Sequence, residues 1–195
     1  MQSKLADKTI LTTDSVDIAA LASSTMIEVP FMRPQHLAAD HTPTAAVIQH
    51  AIRFFDNKGE QYDTICLLQP TCPFRSKGFV DKCLTAFANS GADCLFSVKQ
   101  VPHEYNPHWV FVPGNDGFLK ISTGDENIIP NRQLLPPAYA RDGSVYVFKA
   151  DNIRLHNSIY GQSISYLESD CLQHINIDIP EDWERAEVMA ETWKN

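Results

Sequence analysis

No run in this chain approaches the roughly 18 to 20 consecutive apolar residues of a membrane-spanning helix. The opening residues, MQSKLADKT, hold no apolar core of the kind a secretory signal needs. The sequence therefore predicts a cytoplasmic protein with no membrane partner. Cations are scarce: 16 Lys and Arg stand against 24 Asp and Glu, a formal net charge of −8. A nucleic-acid surface needs clustered Lys and Arg to meet phosphates, so that partner is excluded. The same field repels a small anionic ligand unless arginines or a divalent cation gather locally to offset it. The five cysteines, at 66, 72, 83, 94 and 171, are odd in number and form no CxxC pair, which predicts free thiols rather than disulfides or zinc. Also missing are GxGxxG, the P-loop lysine motif, HExxH and GxSxG, and with them the usual dinucleotide, P-loop, zinc-protease and α/β-hydrolase readings. With 44% hydrophobic residues and no low-complexity segment, the 195 residues read as one globular domain with a substantial core.

What is there is organised around TICLLQPTCPFR, residues 64–75. TICLL is a short, almost wholly apolar run, the pattern of a strand buried on both faces in a parallel sheet. Two prolines three apart then deny donors to any ladder and hold Gln69 and Cys72 extended, so the loop leaving the strand is stiff. Ser76 is placed to cap a following helix carrying Phe79, Val80, Cys83, Leu84 and Phe87, with Gly91 placed to end it. Such a loop, between a strand's carboxyl end and a helix's amino end, is where open α/β sheets bind ligands.

Before it, KTILTT at 8–13 reads as a strand, Asp14 or Ser15 as the start of a helix with Val16, Ile18, Ala19, Leu21 and Ala22, and residues 26–31 as a second strand. Thr42 followed by Pro43 predicts a helix start, with Ala46, Val47, His50, Ala51, Phe54 and Phe55 along one stripe. Strand and helix alternate as in a doubly wound, mostly parallel α/β sheet. After it, residues 94–99 form another strand. Residues 100–139 are proline-rich, with β-like pieces at 109–112 and 118–121 about a PGNDG turn. So long a stretch predicts an inserted lobe or dimerisation arm at about 100–140. Strands at 144–149 and 173–177 and a terminal helix from Pro180, with Trp183, Ala186, Met189 and Ala190 on one side, complete the pattern.

The polar groups at strand ends are the candidates for chemistry: Arg33, Thr44, Gln69, Thr71, Arg75, Arg132, Tyr139 and Asp178. Singly, each has a plain structural reading. An arginine after a strand serves equally as a surface charge, and Asp178 before Pro180 as a helix cap.

Taken together they carry a resemblance. RPQHLAADHTPT, LLQPTCPFR, NRQLLPPAYARDGSVYVF and NIDIPEDWERAE resemble, in order, phrases of the acylneuraminate cytidylyltransferases, or CMP-sialic acid synthetases, including those that activate legionaminic or pseudaminic acid. The likeness runs from about residue 3 to 194. It implies a Rossmann-like nucleotidyltransferase fold and a homodimer. It also implies a Mg²⁺-assisted reaction that joins CTP to a nine-carbon α-keto acid sugar and releases pyrophosphate. By resemblance Arg33 and Thr44 contact the cytidine base, and Gln69 and Thr71 face the sugar acid. Arg75 binds carboxylate or orders the loop. Arg132, Gln133 and Tyr139 close over the sugar, with Arg132 and Asp178 nearest the chemistry, and Asp178 with Asn176 holds the metal. Two features depart from the family pattern. Asn176 stands where an aspartate is usual, and the glycine, serine and lysine loop that holds the triphosphate has no counterpart before residue 8. The expectation is a domain without its first strand and loop, with little transfer activity of its own. The alternatives are a non-catalytic nucleotide-binding or regulatory homologue, or a nucleotidyltransferase for another sugar.

Overall fold

A computed structural model describes residues 3–25, 27–169 and 174–193. Four strands form the main sheet in the order β1 (Thr64–Leu67), β5 (Tyr139–Lys149), β2 (Cys94–Gln100), β6 (Ile164–Glu168). β5 runs antiparallel to both β1 and β2, while β2 and β6 are parallel. The expected α/β layering is present, but the sheet is mixed, because the chain returns from the arm beside β2 and in the opposite direction. The arm has its own two-stranded sheet, β3 (Phe111–Pro113) with β4 (Leu119–Ile121).

Alternation along the strands sends side chains to two cores. Phe96 and Val98 of β2, with Tyr146 and Phe148 of β5, pack under α2 (Thr44–Asp56) through Ile48 and Ile52, and under α4 (Ala150–His156) through Ile153. Leu95, Val145 and Val147 face the other way, against Phe79, Val80, Cys83 and Phe87 of α3 (Phe79–Ser90). Helices therefore cover both faces. The buried residues of α2 are Ile48, Ile52 and Phe55: Phe55 lies on the stripe expected, while Ile48 and Ile52, packed against β5 and β2, take the place of the smaller residues and Phe54 expected beside it.

Helix ends follow local chemistry. Ser15 caps α1 (Val16–Ala22) by accepting from Ile18 N. α2 begins at Thr44 behind Pro43, one residue later than expected. α3 is entered not from a Ser76 cap but through Gly78, at φ 78°, after a turn in which Phe79 N donates to Ser76 O. Gly91, at φ 67°, ends it as expected. α5 (Pro180–Thr192) starts on its proline.

Three strand expectations change. β1 is half-buried rather than buried on both faces, because among the described residues it pairs only with β5 and its other edge meets no strand. Residues 8–13 and 27–32 join through two isolated parallel bridges, Ile10 with Glu28 and Thr13 with Met32; Met26 lies outside the described residues. Of the strand expected at 173–177, Gln173 lies outside the described residues and 174–177 form no ladder. α4 and β6 occupy a stretch in which no element is expected from the sequence.

Candidate functional site

The loop after β1 is closed at its neck by Arg75. This side chain is buried, and its Nε donates to Ser144 O (2.7 Å) while Nη2 donates to Gln69 O (2.6 Å). Burial pulls its guanidinium below the usual arginine value. Of the two roles open to it, the structure gives Arg75 the ordering of the loop, since its fork engages two main-chain carbonyls. The loop then makes a tight turn, Cys72 N to Gln69 O.

β5 supplies the floor. Between Phe96–Tyr146 and Val98–Arg141 the register slips, so that two steps along β2 face five along β5, and residues 142–145 bulge from the sheet. Bulges of this kind re-aim backbone beside functional sites. This one is held from below by the buried Asp142, whose carboxylate accepts from Ser97 Oγ, Ser169 Oγ and Ser144 N. Ser97 Oγ in turn accepts from Val145 N (2.8 Å). On the crest stands Gly143 at φ 80°. A Cβ there would lie 2.9 Å from Cys72 Sγ, 3.6 Å from Gln69 Oε1 and 3.9 Å from Asn176 Oδ1. Side chains from two other parts of the chain thus meet over a patch of bare backbone.

The third part is residues 174–178. Ile177 N donates to Thr71 O (2.9 Å), pinning this segment to the loop. Cys72 is 1% exposed, and its thiol lies 3.2 Å from Asn176 Oδ1 and 3.5 Å from Asp142 O. Burial pushes the Cys72 thiol up, and that of Cys66 to about 12, so neither is a ready nucleophile. Asn176 Nδ2 donates to the exposed carboxylate of Asp178. Asp178 is not the helix cap it could have been. Asp182 takes that part, accepting from Asp178 N (3.2 Å) and Ile179 N (3.3 Å).

Gln69, Thr71, Arg75, Asn176 and Asp178 are therefore brought together. Arg33 sits elsewhere in the contact network. Its Nη2 donates to Asp14 (3.0 Å) and its backbone N to Thr13 O, while its Nε is buried with no partner. Thr44 is the exposed first residue of α2. Arg132 lies on the arm in a short 3-10 turn (Arg132–Leu134), lining an open cavity of about 640 Å³ with His103, Glu104, Trp109 and Phe111. Gln133 is exposed beside it, and Tyr139, at the start of β5, stacks on Tyr166 (4.9 Å between centroids). Among the described residues no hydrogen bond joins Arg33, Arg132, Gln133 or Tyr139 to the loop. Cys72, Asp142 and Gly143 were not singled out from the sequence. The adjacent Asp-Gly pair was the one signal that could have flagged a bulge.

Among the described residues no three His, Cys, Asp or Glu gather as a metal-binding group. Asp178 offers a hard oxygen of the type magnesium takes together with phosphate oxygens and waters, which suits an ion that arrives with a nucleotide, whereas the Asn176 oxygen expected beside it is turned to the Cys72 thiol and presents its NH₂ to Asp178. Lys8 is engaged elsewhere: its Nζ lies 2.8 Å from Glu60 and 3.7 Å from Glu28.

No family model matches the chain. Among curated proteins it is similar to the post-translational flagellin modification protein B of Campylobacter coli, 28% identical over 188 residues, covering 96% of this chain and 78% of the relative. It is 27% identical over 194 residues to the CMP-N,N'-diacetyllegionaminic acid synthase of Legionella pneumophila, covering 98% and 81%. To the pseudaminic acid cytidylyltransferase of Campylobacter jejuni it is 24% identical over 171 residues, covering 87% and 66%.

Proposed function

We propose, from the premise that this chain belongs with the acylneuraminate and legionaminic acid cytidylyltransferases, that its site serves the transfer of CMP from CTP to a nonulosonic acid. The observation that carries the reading is that Gln69, from the loop that bears the family phrase, and Asn176 meet over Gly143, with Asp178 bonded to Asn176. The sugar's anomeric hydroxyl would attack the α-phosphorus, and pyrophosphate would leave. Gln69 would orient the acid sugar through its amide, and Arg75 would keep the loop rigid so that the reacting atoms stay in register. Arg33 and Thr44 would read the cytosine's acceptors. Asp178, steadied by the Asn176 NH₂, would hold a magnesium ion delivered with the triphosphate. When bound, that ion would neutralise charge building on the phosphates.

In the same reading the layered sheet is a Rossmann-like nucleotidyltransferase domain and the arm is a dimerisation element. A second copy would cover the exposed Phe118, Leu119, Ile128 and Leu134, and the arm would carry Arg132, Gln133 and Tyr139 toward the partner's sugar site.

The test is pyrophosphate release from CTP with N-acetylneuraminic, legionaminic and pseudaminic acids in turn. Release that requires one of these acids is the expected result. A second reading, a nucleotide-binding homologue without turnover, is favoured by one observation: Lys8 is paired with Glu60 rather than free to meet a triphosphate. Saturable CTP binding by calorimetry with no release under any acid would select it.

A further inference from the structure

We propose that Cys72 is a positioning residue: its thiol fixes the orientation of the Asn176 amide and so holds the Asp178 carboxylate toward the loop. The inference deepens the function proposed above and rests on it for its consequence, though not for its geometry.

A side-chain amide has two orientations of nearly equal shape, and its neighbours decide between them. Asn176 stands between a thiol on one side and a carboxylate on the other. Asp178 is acceptor-only when ionised. The thiol is the donor that faces the amide oxygen, at 3.2 Å. With S–H donating to Oδ1, Nδ2 is left to donate to Asp178, which is the arrangement observed. The turned-over amide would set its oxygen against the carboxylate, a repulsive pairing, and leave its NH₂ facing a weak sulfur acceptor. Cys72 itself cannot drift. Its sulfur also approaches Asp142 O (3.5 Å), on a bulge anchored by Ser97, Ser144 and Ser169. Gly143 leaves no room to spare beside it, since even a methyl there would come within 2.9 Å. Thr71 O, one residue earlier, accepts from Ile177 N, so main chain and side chain register the two segments together. The result is one chain of contacts from the main-chain carbonyl of Asp142, through a thiol and an amide, to an exposed carboxylate.

Serine keeps the donor at this position; valine keeps the volume and removes it. The test uses the full chain and reads the Asn176 side-chain amide pair in a ¹⁵N correlation spectrum, assigned by its disappearance in Asn176→Asp. Losing one modest hydrogen bond should raise exchange of that pair with water about five- to tenfold in Cys72→Val. Cys72→Ser should return it toward the wild-type rate. In parallel, calorimetric affinity for magnesium CTP should fall in Cys72→Val and recover in Cys72→Ser, with thermal midpoints matched to separate positioning from stability. Should Cys72→Val fail to fold, Cys72→Ala makes the same comparison. An amide pair unmoved in the variant lacking the donor overturns the proposal. A moved pair with unchanged magnesium CTP affinity overturns its functional half. Failure of the wild type to bind CTP would instead contradict the proposed function, and the amide readout, taken without nucleotide, still decides the role of Cys72.

Discussion

At Arg75 one guanidinium closes the neck of the loop by donating to Gln69 O and Ser144 O. Replacing it with methionine keeps the bulk and leaves two carbonyls without their charged donor. The expected loss is about 2 to 4 kcal/mol, on the scale of hydrogen bonds to charged groups, and urea unfolding would measure it. Arg75→Lys should recover less than half, because an ammonium cannot span both carbonyls as a planar fork does. At Gly143 the constraint is conformational and steric at once, with φ 80° and Cys72 Sγ 2.9 Å from the position of a Cβ. Gly143→Ala should destabilise by about 1 to 3 kcal/mol, and should disturb Gln69 and Asn176 more than residues on the far side of the sheet, as chemical-shift mapping would record. These two residues differ in how legible they were. Arg75 belongs to a phrase that drew attention at once, although its two possible roles could not be separated until its partners were known. Gly143 takes its meaning from a register slip between strands far apart in the chain, of which the adjacent Asp142-Gly143 pair is the one local trace.

At the scale of elements, one carboxylate ties the ends of β2, β5 and β6 together beside their backbone ladders. Asp93, just before β2, accepts from Lys149 Nζ (2.8 Å) at the end of β5, and from Gln162 N, Ser163 N and Ser163 Oγ at the entrance to β6. The Lys149 bond first, and the Ser163 donors after it, hold its carboxyl at about 2, below the ordinary 3.8. A folded-state value depressed in this way contributes stability that is complete above the unfolded value and is lost as pH falls through about 2. Urea midpoints followed from pH 5 down to pH 2 should therefore fall more steeply for the wild type than for Asp93→Asn, and parallel curves would refute this. Elements with a strong period were legible: α3 and its Gly91 stop, β2, the core half of β5, and α5 behind Pro180. β6 was not, because ISYLE alternates between exposed and half-buried positions and mixes polar with apolar residues. α4 is seven residues long and, unlike α1 with its Ser15 cap, starts straight out of β5 at Lys149 with no capping side chain to mark it. The full burial expected of TICLL failed for a tertiary reason, the open edge of β1, which the composition of a strand cannot reveal.

For the molecule as a whole, the arm carries exposed apolar side chains, with Phe118 74% and Leu119 68% exposed. If a second copy covers them, Phe118→Asp together with Leu119→Asp should convert a dimer to monomers in sedimentation velocity while leaving the thermal midpoint of the domain nearly unchanged. A wild type that sediments as a monomer would remove the arm from the proposed site. The sequence phrases pointed to a loop and a carboxylate that the fold links through Asn176 and Thr71. Their convergence depends on a bulge and a thiol that only the fold brings together, and Arg33 and Arg132 occupy separate neighbourhoods within one copy. In the proposed function the loop at 69–75 and the segment at 176–178 form one nucleotide site. This is tested most directly by calorimetric titration of CTP, with and without magnesium, into wild type and Asp178→Ala. The account predicts saturable, magnesium-dependent binding to the wild type, with the magnesium dependence lost in Asp178→Ala. No binding by the wild type, or an Asp178→Ala isotherm that matches it under both conditions, would contradict the account.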